Sequence, residues 1–293
     1  MSISYFNSPH VLHRFTSLRT FIKHLVSPKT AVSPTTPHRR TSPTLRTLCS
    51  SNLEALTSRQ REQISLYVDA LLQWNRKMNL TAVTETSEVM KRHVEDSLAI
   101  LPPIRSSYVS GSGSSGCDDL SVVDVGSGPG LPGLILAIAC PGWKVTLLES
   151  MKKRCDFLEH AIGITGLSNV EVLRGRAEKS VCIGQSVGQS LDSREMFDVA
   201  VARAVAEMRI LAEYCLPLVR VGGLFVAAKG HDIEEEVKNA NKAIRLLGAS
   251  TLHVSAVQSH SPYGQRTAIV CRKDRPTPRK YPREPGTPAK VPL

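Results

Sequence analysis

The sequence predicts an α/β fold: a mostly parallel sheet of seven strands with helices on both faces, preceded by an N-terminal helical lead-in. Two observations carry this. Between residues 120 and 272, short apolar runs rich in β-branched residues alternate with helical patterns, as strand-helix-strand crossovers require. The first run, Val122-Val123-Asp124-Val125, passes directly into Gly126-Ser127-Gly128-Pro129-Gly130-Leu131-Pro132-Gly133, a turn dense enough in glycine to bring backbone against a ligand at the carboxyl edge of such a sheet.

Residues 1–52 come first, and they stand apart. Residues 1–53 hold seven Lys/Arg and no acid, among many Ser, Thr and Pro, the composition of an organellar transit peptide; chloroplast is expected ahead of mitochondrion, because no amphipathic Arg helix is evident. From 53 to 104 a helical lead-in is predicted. Thr57 caps a helix carrying Ile64, Tyr67, Val68, Leu71 and Leu72 at helical spacing, with Trp74 and Met78 extending it. A second helix is predicted from Ser87 to Leu101, stopped by Pro102-Pro103, with Arg92, His93, Asp96 and Ser97 on it. Packing is the plain role for those four, a substrate- or cofactor-facing lid the sharper one. The Ser/Gly-rich stretch 105–119 reads as a flexible loop.

The core domain, 120–272, has strands expected at 120–125, 144–149, 169–173, 197–202 and 223–228, then near 250–257 and 266–272. Helices are expected at 131–140, 151–162, 206–220 and 232–247; no helix separates the last two strands, so they should form an antiparallel hairpin. Residues 180–196 are poor in apolar side chains and read as a loop, and 273–293 form a basic, proline-rich tail.

Composition narrows the field. A chain of 293 residues that is 41% hydrophobic and 22% charged is ordinary for a globular protein, and no stretch reaches the roughly 18 apolar residues of a membrane helix. The seven cysteines are odd in number and contain no CxxC pair, which suits free thiols and argues against a disulfide or zinc framework; no metal is expected.

Gly128 to Gly133 satisfies GxGxxG, so a dinucleotide site has to be weighed. In that fingerprint the first glycine follows the strand and helix amides meet a pyrophosphate. Here Asp124 ends the strand and would repel phosphate, while Pro129 and Pro132 each remove a donor. A carboxylate there suits a ligand bearing an ammonium and a sulfonium charge, which is S-adenosylmethionine; Gly126, Ser127, Gly128, Gly130 and Leu131 would line it. Glu149, ending the next strand, can accept from ribose hydroxyls. Ala177 and Glu178, in Arg174-Gly175-Arg176-Ala177-Glu178 after the third strand, can read adenine. Arg203 ends the fourth strand beside the transferred methyl, a costly place for an unpaired charge unless the site uses it.

The methyl acceptor follows by exclusion. An Asn/Asp-Pro-Pro-aromatic run after the fourth strand, used for exocyclic amines, is absent: Arg203-Ala204-Val205-Ala206 stands there. No cysteine is placed as the nucleophile for carbon 5 of a pyrimidine. What remains is an intrinsically nucleophilic atom such as a ring nitrogen, which needs no general base.

These residues, with Asn79-Leu80-Thr81 upstream, Ala202-Arg203-Ala204-Val205, Lys229-Gly230 and the ending Lys280-Tyr281-Pro282-Arg283-Glu284-Pro285-Gly286-Thr287-Pro288-Ala289-Lys290, closely resemble the bacterial glucose-inhibited division protein B family, the small-subunit rRNA guanine-N7 methyltransferases. The resemblance runs from about residue 55 to the C-terminus. It implies a Rossmann-like class I S-adenosylmethionine-dependent methyltransferase acting on a guanine of 16S-type rRNA or its ribosomal particle; the added N-terminal residues and loops fit a plant organellar form, and a monomer is expected. It places Gly126, Leu131, Ala177 and Glu178 on the cofactor and Arg203 between cofactor and target. The bacterial members lack the first fifty residues. A non-catalytic, cofactor-binding ribosome assembly factor is the alternative.

Charge bears on how RNA would be held. Residues 54–271 carry 23 basic and 24 acidic residues, whereas 272–293 carry seven Lys/Arg against Asp274 and Glu284. The resemblance implies that Lys229 faces the RNA, and Arg92 and His93 are expected to meet it from the lid; the charge distribution adds Arg279, Lys280, Arg283 and Lys290 in a tail running extended as a phosphate-binding arm. A strap that covers the helical lead-in and stabilises the fold is the competing role for that tail.

Overall fold

The computed structural model describes residues 53–112, 116–180, 193–203, 206–230, 233–257 and 266–293. The expected transit peptide and most of the expected loop 180–196 lie outside the described residues. In chain order the helices and strands are α1 (Ser58–Asn75), α2 (Thr86–Val89), a π-helical turn (Met90–Glu95), α3 (Asp96–Leu98), α4 (Leu101–Ser112), β1 (Ser121–Val125), α5 (Gly133–Ala139), β2 (Lys144–Glu149), α6 (Lys152–Thr165), β3 (Val170–Arg174) and α7 (Ala177–Ser180). They continue as β4 (Phe197–Arg203), α8 (Met208–Cys215), a 3-10 turn (Leu216–Leu218), β5 (Val219–Lys229), α9 (Glu234–Leu246), β6 (Ala249–Val257), β7 (Arg266–Lys273) and α10 (Thr287–Lys290).

The seven strands form one sheet in the order β3-β2-β1-β4-β5-β7-β6. Pairing is parallel from β3 through β5, and β7 is antiparallel to both neighbours. The order reverses between β1 and β4, so their carboxyl ends flank the crevice where open α/β sheets bind ligands. Asp124 and Arg203 are placed there. Because β7 runs backwards, its first residues, Arg266 and Thr267, reach the same edge: Thr267 pairs with Lys229 at the end of β5.

The lead-in is part of the body. Thr57 and Gln60 form a reciprocal capping box at the start of α1. Tyr67 and Trp74 both pack on Phe157 of α6, Gln60 Nε2 donates to the carbonyls of Ile138 and Ala139, and Gln63 Nε2 donates to that of Thr165. Tyr67 also donates from its hydroxyl to the Pro129 carbonyl at 2.8 Å, tying α1 to the glycine turn.

Two sequence expectations need correction. Pro102 and Pro103 do not end a helix; they sit in the first turn of α4, where amides have no intrahelical acceptor. Residues 105–112 are accordingly helical rather than a loop, held by Leu101, Ile104 and Tyr108, all buried at helical spacing. The tail is not an extended arm. Lys273 is wholly buried, donating to the carbonyls of Leu216 and Val219 and to Thr277 Oγ1. Beyond it, Arg194 holds the carbonyls of Thr277 and Tyr281, and the Tyr281 ring enters the same apolar cluster as Ala177, Leu211 and Phe225. The tail is a strap, seated against α8 through Arg283 and Glu213 and in the apolar cluster of Tyr281, Ala177 and Leu211, not over the helical lead-in as expected.

Among the described residues no helix is long and apolar enough to cross a membrane, and no group of three or more His, Cys, Asp or Glu is placed to hold a metal ion.

Candidate active site at the carboxyl edge of the sheet

The glycine turn consumes its own amides. Gly126 and Ser127 donate to the Leu148 carbonyl, Gly128 to Glu149 Oε2, Gly130 and Leu131 to the Ser127 carbonyl, Gly133 to Asp124 Oδ2 and Leu134 to the Gly130 carbonyl. The remaining two residues are prolines. Every N–H from 126 to 134 is thus satisfied internally, which leaves none for a pyrophosphate. What the turn offers instead is proximity. Gly126 adopts φ +73, and a side-chain carbon added there would meet nothing within 4 Å, so the backbone borders open space. Gly130 and Gly133 serve packing: added carbons would lie 2.4 Å from Leu134 Cδ1 and Leu147 Cδ2 respectively.

Asp124 is wholly buried. Its Oδ2 braces the turn through Gly133, while Oδ1 has no hydrogen-bond partner among the described residues. Burial pushes the carboxyl up to about 7, against the Gly133 amide and the Arg203 guanidinium, which favour the charged form. Arg203 mirrors it. Its Nη1 is shut from solvent without a partner among the described residues, and burial lowers its pKa while the Tyr67 hydroxyl and Asp124 oppose the shift. Two orphaned polar atoms of opposite character at one switch point mark a place built for a ligand.

Glu149 is buried at the end of β2, accepting from the amides of Gly128 and Met151, with Arg154 at 3.7 Å. Ala177 and Glu178 open α7 at the same edge, both buried. Glu178 Oε1 accepts from the Gly286 amide in the strap, at 3.1 Å.

Beside Arg203 lies a cavity of about 160 Å³ lined by Arg92, His93, Asp96, Lys229, Arg266 and Thr267, with Ile100, Ala228 and Val257 as its apolar walls. The π-helical turn Met90–Glu95 places Arg92 and His93 on it. His93 is fixed as a neutral ring. The Arg92 carbonyl can only accept, so Nδ1 carries the proton, at 3.0 Å; Nε2 then accepts from Thr81 Oγ1 at 2.7 Å. Burial, then the Arg203 charge, lowers its pKa to about 4. Asn75 in turn holds the backbone of Leu80 and Thr81, which accounts for the Asn79-Leu80-Thr81 segment structurally.

The expected RNA contacts divide. Arg279, Lys280 and Lys290 are exposed. Arg283 is not available as a free phosphate ligand: its Nε and Nη2 chelate Glu213 of α8, itself wholly buried. Lys229 lines the cavity but is nine-tenths buried, its ammonium donating to the Ala206 carbonyl and to Glu236 Oε1, which also caps the Met208 amide. It holds α8 and α9 in place. His93 has both ring nitrogens engaged. Sequence reasoning missed Arg266, which pairs with the buried Asp96 at 2.9 Å. The signal was present: if the last strand is antiparallel, its first residue returns to the site.

An internally satisfied glycine turn, a carboxylate behind it, a second ending β2, and open space beside Gly126 fit S-adenosylmethionine and disfavour a dinucleotide. With the seven-stranded order, they define a Rossmann-like, class I S-adenosylmethionine-dependent methyltransferase. Comparison with known proteins specifies it further. The family model described as GidB, rRNA small subunit methyltransferase G, matches residues 60–267, and the chain belongs to that family. The chain is 43% identical over 244 residues to the ribosomal RNA small subunit methyltransferase G of Alkaliphilus oremlandii (strain OhILAs), covering 83% of this chain and 94% of that protein. It is 41% identical over 239 residues to the protein of the same name from Bacillus cytotoxicus, covering 82% and 93%.

Proposed function

We propose that this protein methylates N7 of a guanine in small-subunit rRNA, with S-adenosylmethionine as donor, inside an organelle, the chloroplast ahead of the mitochondrion. The observation that carries the chemistry is the junction at Arg203: a phosphate-averse glycine turn on one side and a cation-lined cavity on the other. Asp124 and residues 126–131 would hold the amino-acid end of the cofactor, Glu149 the ribose, and Ala177 with Glu178 the adenine. The cofactor supplies an electrophilic methyl group.

The protein's own contribution is alignment. Guanine N7 carries an in-plane lone pair and no proton, so no general base is needed. The histidine at the cavity is engaged at both nitrogens and neutral at physiological pH. Holding nucleophile and methyl in line can supply roughly 7–11 kcal/mol of the barrier. Arg203 is the residue that touches both halves of the site, and Arg92 and Arg266 supply charge for the RNA backbone. The exposed Arg279, Lys280 and Lys290 on the strap add further positive charge for RNA phosphates.

The organellar reading is supported by the acid-free Ser/Thr/Pro/Arg composition of residues 1–53. Incubating the protein with methyl-labelled S-adenosylmethionine and either small ribosomal subunits or naked rRNA tests the activity. Label recovered as N7-methylguanosine is expected; label in ribosomal protein and none in rRNA would overturn the assignment. N-terminal sequencing of the mature protein tests the targeting: recovery of Met1 in the organelle fraction would contradict a cleaved transit peptide.

A further inference from the structure

The tail was expected to serve RNA as an arm or the fold as a strap, yet it ends on the segment assigned to adenine. Gly286, at φ +84, turns the chain into α10, and its amide donates to Glu178 Oε1 at 3.1 Å. Glu178 is 5% exposed, so its carboxylate is held in a defined place and not left to sample solvent. The strap is itself anchored upstream, by Arg283 on Glu213 of α8 and by Arg194 on the carbonyls of Thr277 and Tyr281. Tyr281, Ala177 and Leu211 of α8 share one apolar cluster, and Leu293 packs against it. The strap thus meets the Ala177-Glu178 pair through the hydrogen bond to the Glu178 side chain, and shares with Ala177 the apolar cluster around α8.

We infer that the C-terminal strap is a positioning element of the cofactor site, acting through Glu178. A carboxylate already fixed in the geometry that receives the adenosine end loses less side-chain entropy when the ligand arrives. Residues 281–293 would thereby set cofactor affinity without touching the cofactor. The inference rests on the reading of Glu178 as an adenosine contact.

The test is a cycle of variants titrated calorimetrically with S-adenosylhomocysteine. A chain ending at Pro285 keeps the Arg283 clasp and Tyr281 but loses the Gly286 donor; it is measured with and without Glu178→Ala. Truncation alone is expected to weaken binding about tenfold and Glu178→Ala alone at least as much, since it also removes the adenosine contact; the combination should be no weaker than Glu178→Ala alone, because the strap acts through that side chain. A second route, a chain ending at Lys280 combined with Glu213→Met, removes the end of the strap without leaving a buried carboxylate unpaired, and should give the same loss, again absent in the Glu178→Ala background. Unchanged affinity on truncation, or losses that multiply when combined, would overturn the inference while leaving the cofactor reading intact. Failure of the unaltered protein to bind S-adenosylhomocysteine would instead refute the cofactor reading, and the inference with it.

Discussion

Replacing Arg283 with Met should destabilise the fold, although the residue belongs to a tail whose composition reads as a basic arm. Glu213 is 0% exposed on α8, and four contacts from Arg283 reach its oxygens: the backbone amide at 2.8 Å, Nε at 2.9 and 3.1 Å, and Nη2 at 2.6 Å. Removing the guanidinium strands a carboxylate in the apolar cluster that holds Tyr281 and Leu211. Breaking a buried pair from one side costs about 3–5 kcal/mol, and the lower end applies because the Arg283 side chain is 23% exposed. A loss of about 3 kcal/mol lowers the midpoint by roughly 6–12 °C in a domain of this size. Thermal unfolding followed by circular dichroism, confirmed by urea titration, measures it. Glu213→Met combined with Arg283→Met should recover most of the loss, since the stranded charge is then gone. A single-variant loss under about 0.5 kcal/mol, as for an ordinary surface arginine, with a drop in RNA affinity, would refute the strap and restore the arm.

Other consequences follow from the same geometry. Burial raises Asp124 to about 7, above its unfolded value, so the native state holds the proton more tightly and stability falls as pH rises from about 4 to 7, then levels. Asp124→Asn should lose that slope, worth roughly 4 kcal/mol, and lose cofactor binding; urea titrations across that range check the slope. His93 works in the opposite direction: its folded value near 4 lies below the unfolded one, so its contribution is lost as pH falls from about 6.5 to 4, and His93→Gln should flatten that part of the acid limb. Lys229→Met should lower kcat by loosening the Ala206 and Glu236 contacts while leaving the salt slope of RNA binding unchanged. Arg279→Ala should reduce that slope by about 0.7–0.9 if the arginine meets one phosphate; an identical slope would remove it from the interface.

Much of the sheet was legible because its strands are short apolar runs with nothing else for them to be. The limits of that reading are specific. The start of β5 was missed because Val219-Arg220-Val221-Gly222 mixes polarity and Gly222 takes φ +85, so the strand begins four residues before its apolar run. Helix α4 was missed because its prolines and serines outweighed three buried residues at helical spacing, Leu101, Ile104 and Tyr108. In the tail, proline spacing argued for an extended arm; the fate of Arg283 depended on Glu213, 70 residues away, which no local pattern reveals. At the glycine turn, Asp124 and the two prolines argued against a pyrophosphate, and the observed turn has no amide left to bind one. Lys229 and His93 do line the cavity beside Arg203, but their heads are spent on Ala206, Glu236, Thr81 and the Arg92 backbone, pairings that only the fold creates.

The central claim is that Arg203 joins a cofactor site to an RNA site for transfer to a ring nitrogen. Its most direct test is nucleoside analysis of small-subunit rRNA after reaction with the unaltered protein and with Arg203→Ala, cofactor affinity being measured in parallel. N7-methylguanosine should form with the unaltered protein and fall at least a hundredfold with Arg203→Ala, about 2.7 kcal/mol or more in the barrier. A different methylated nucleoside, or full activity without the arginine, would contradict the account.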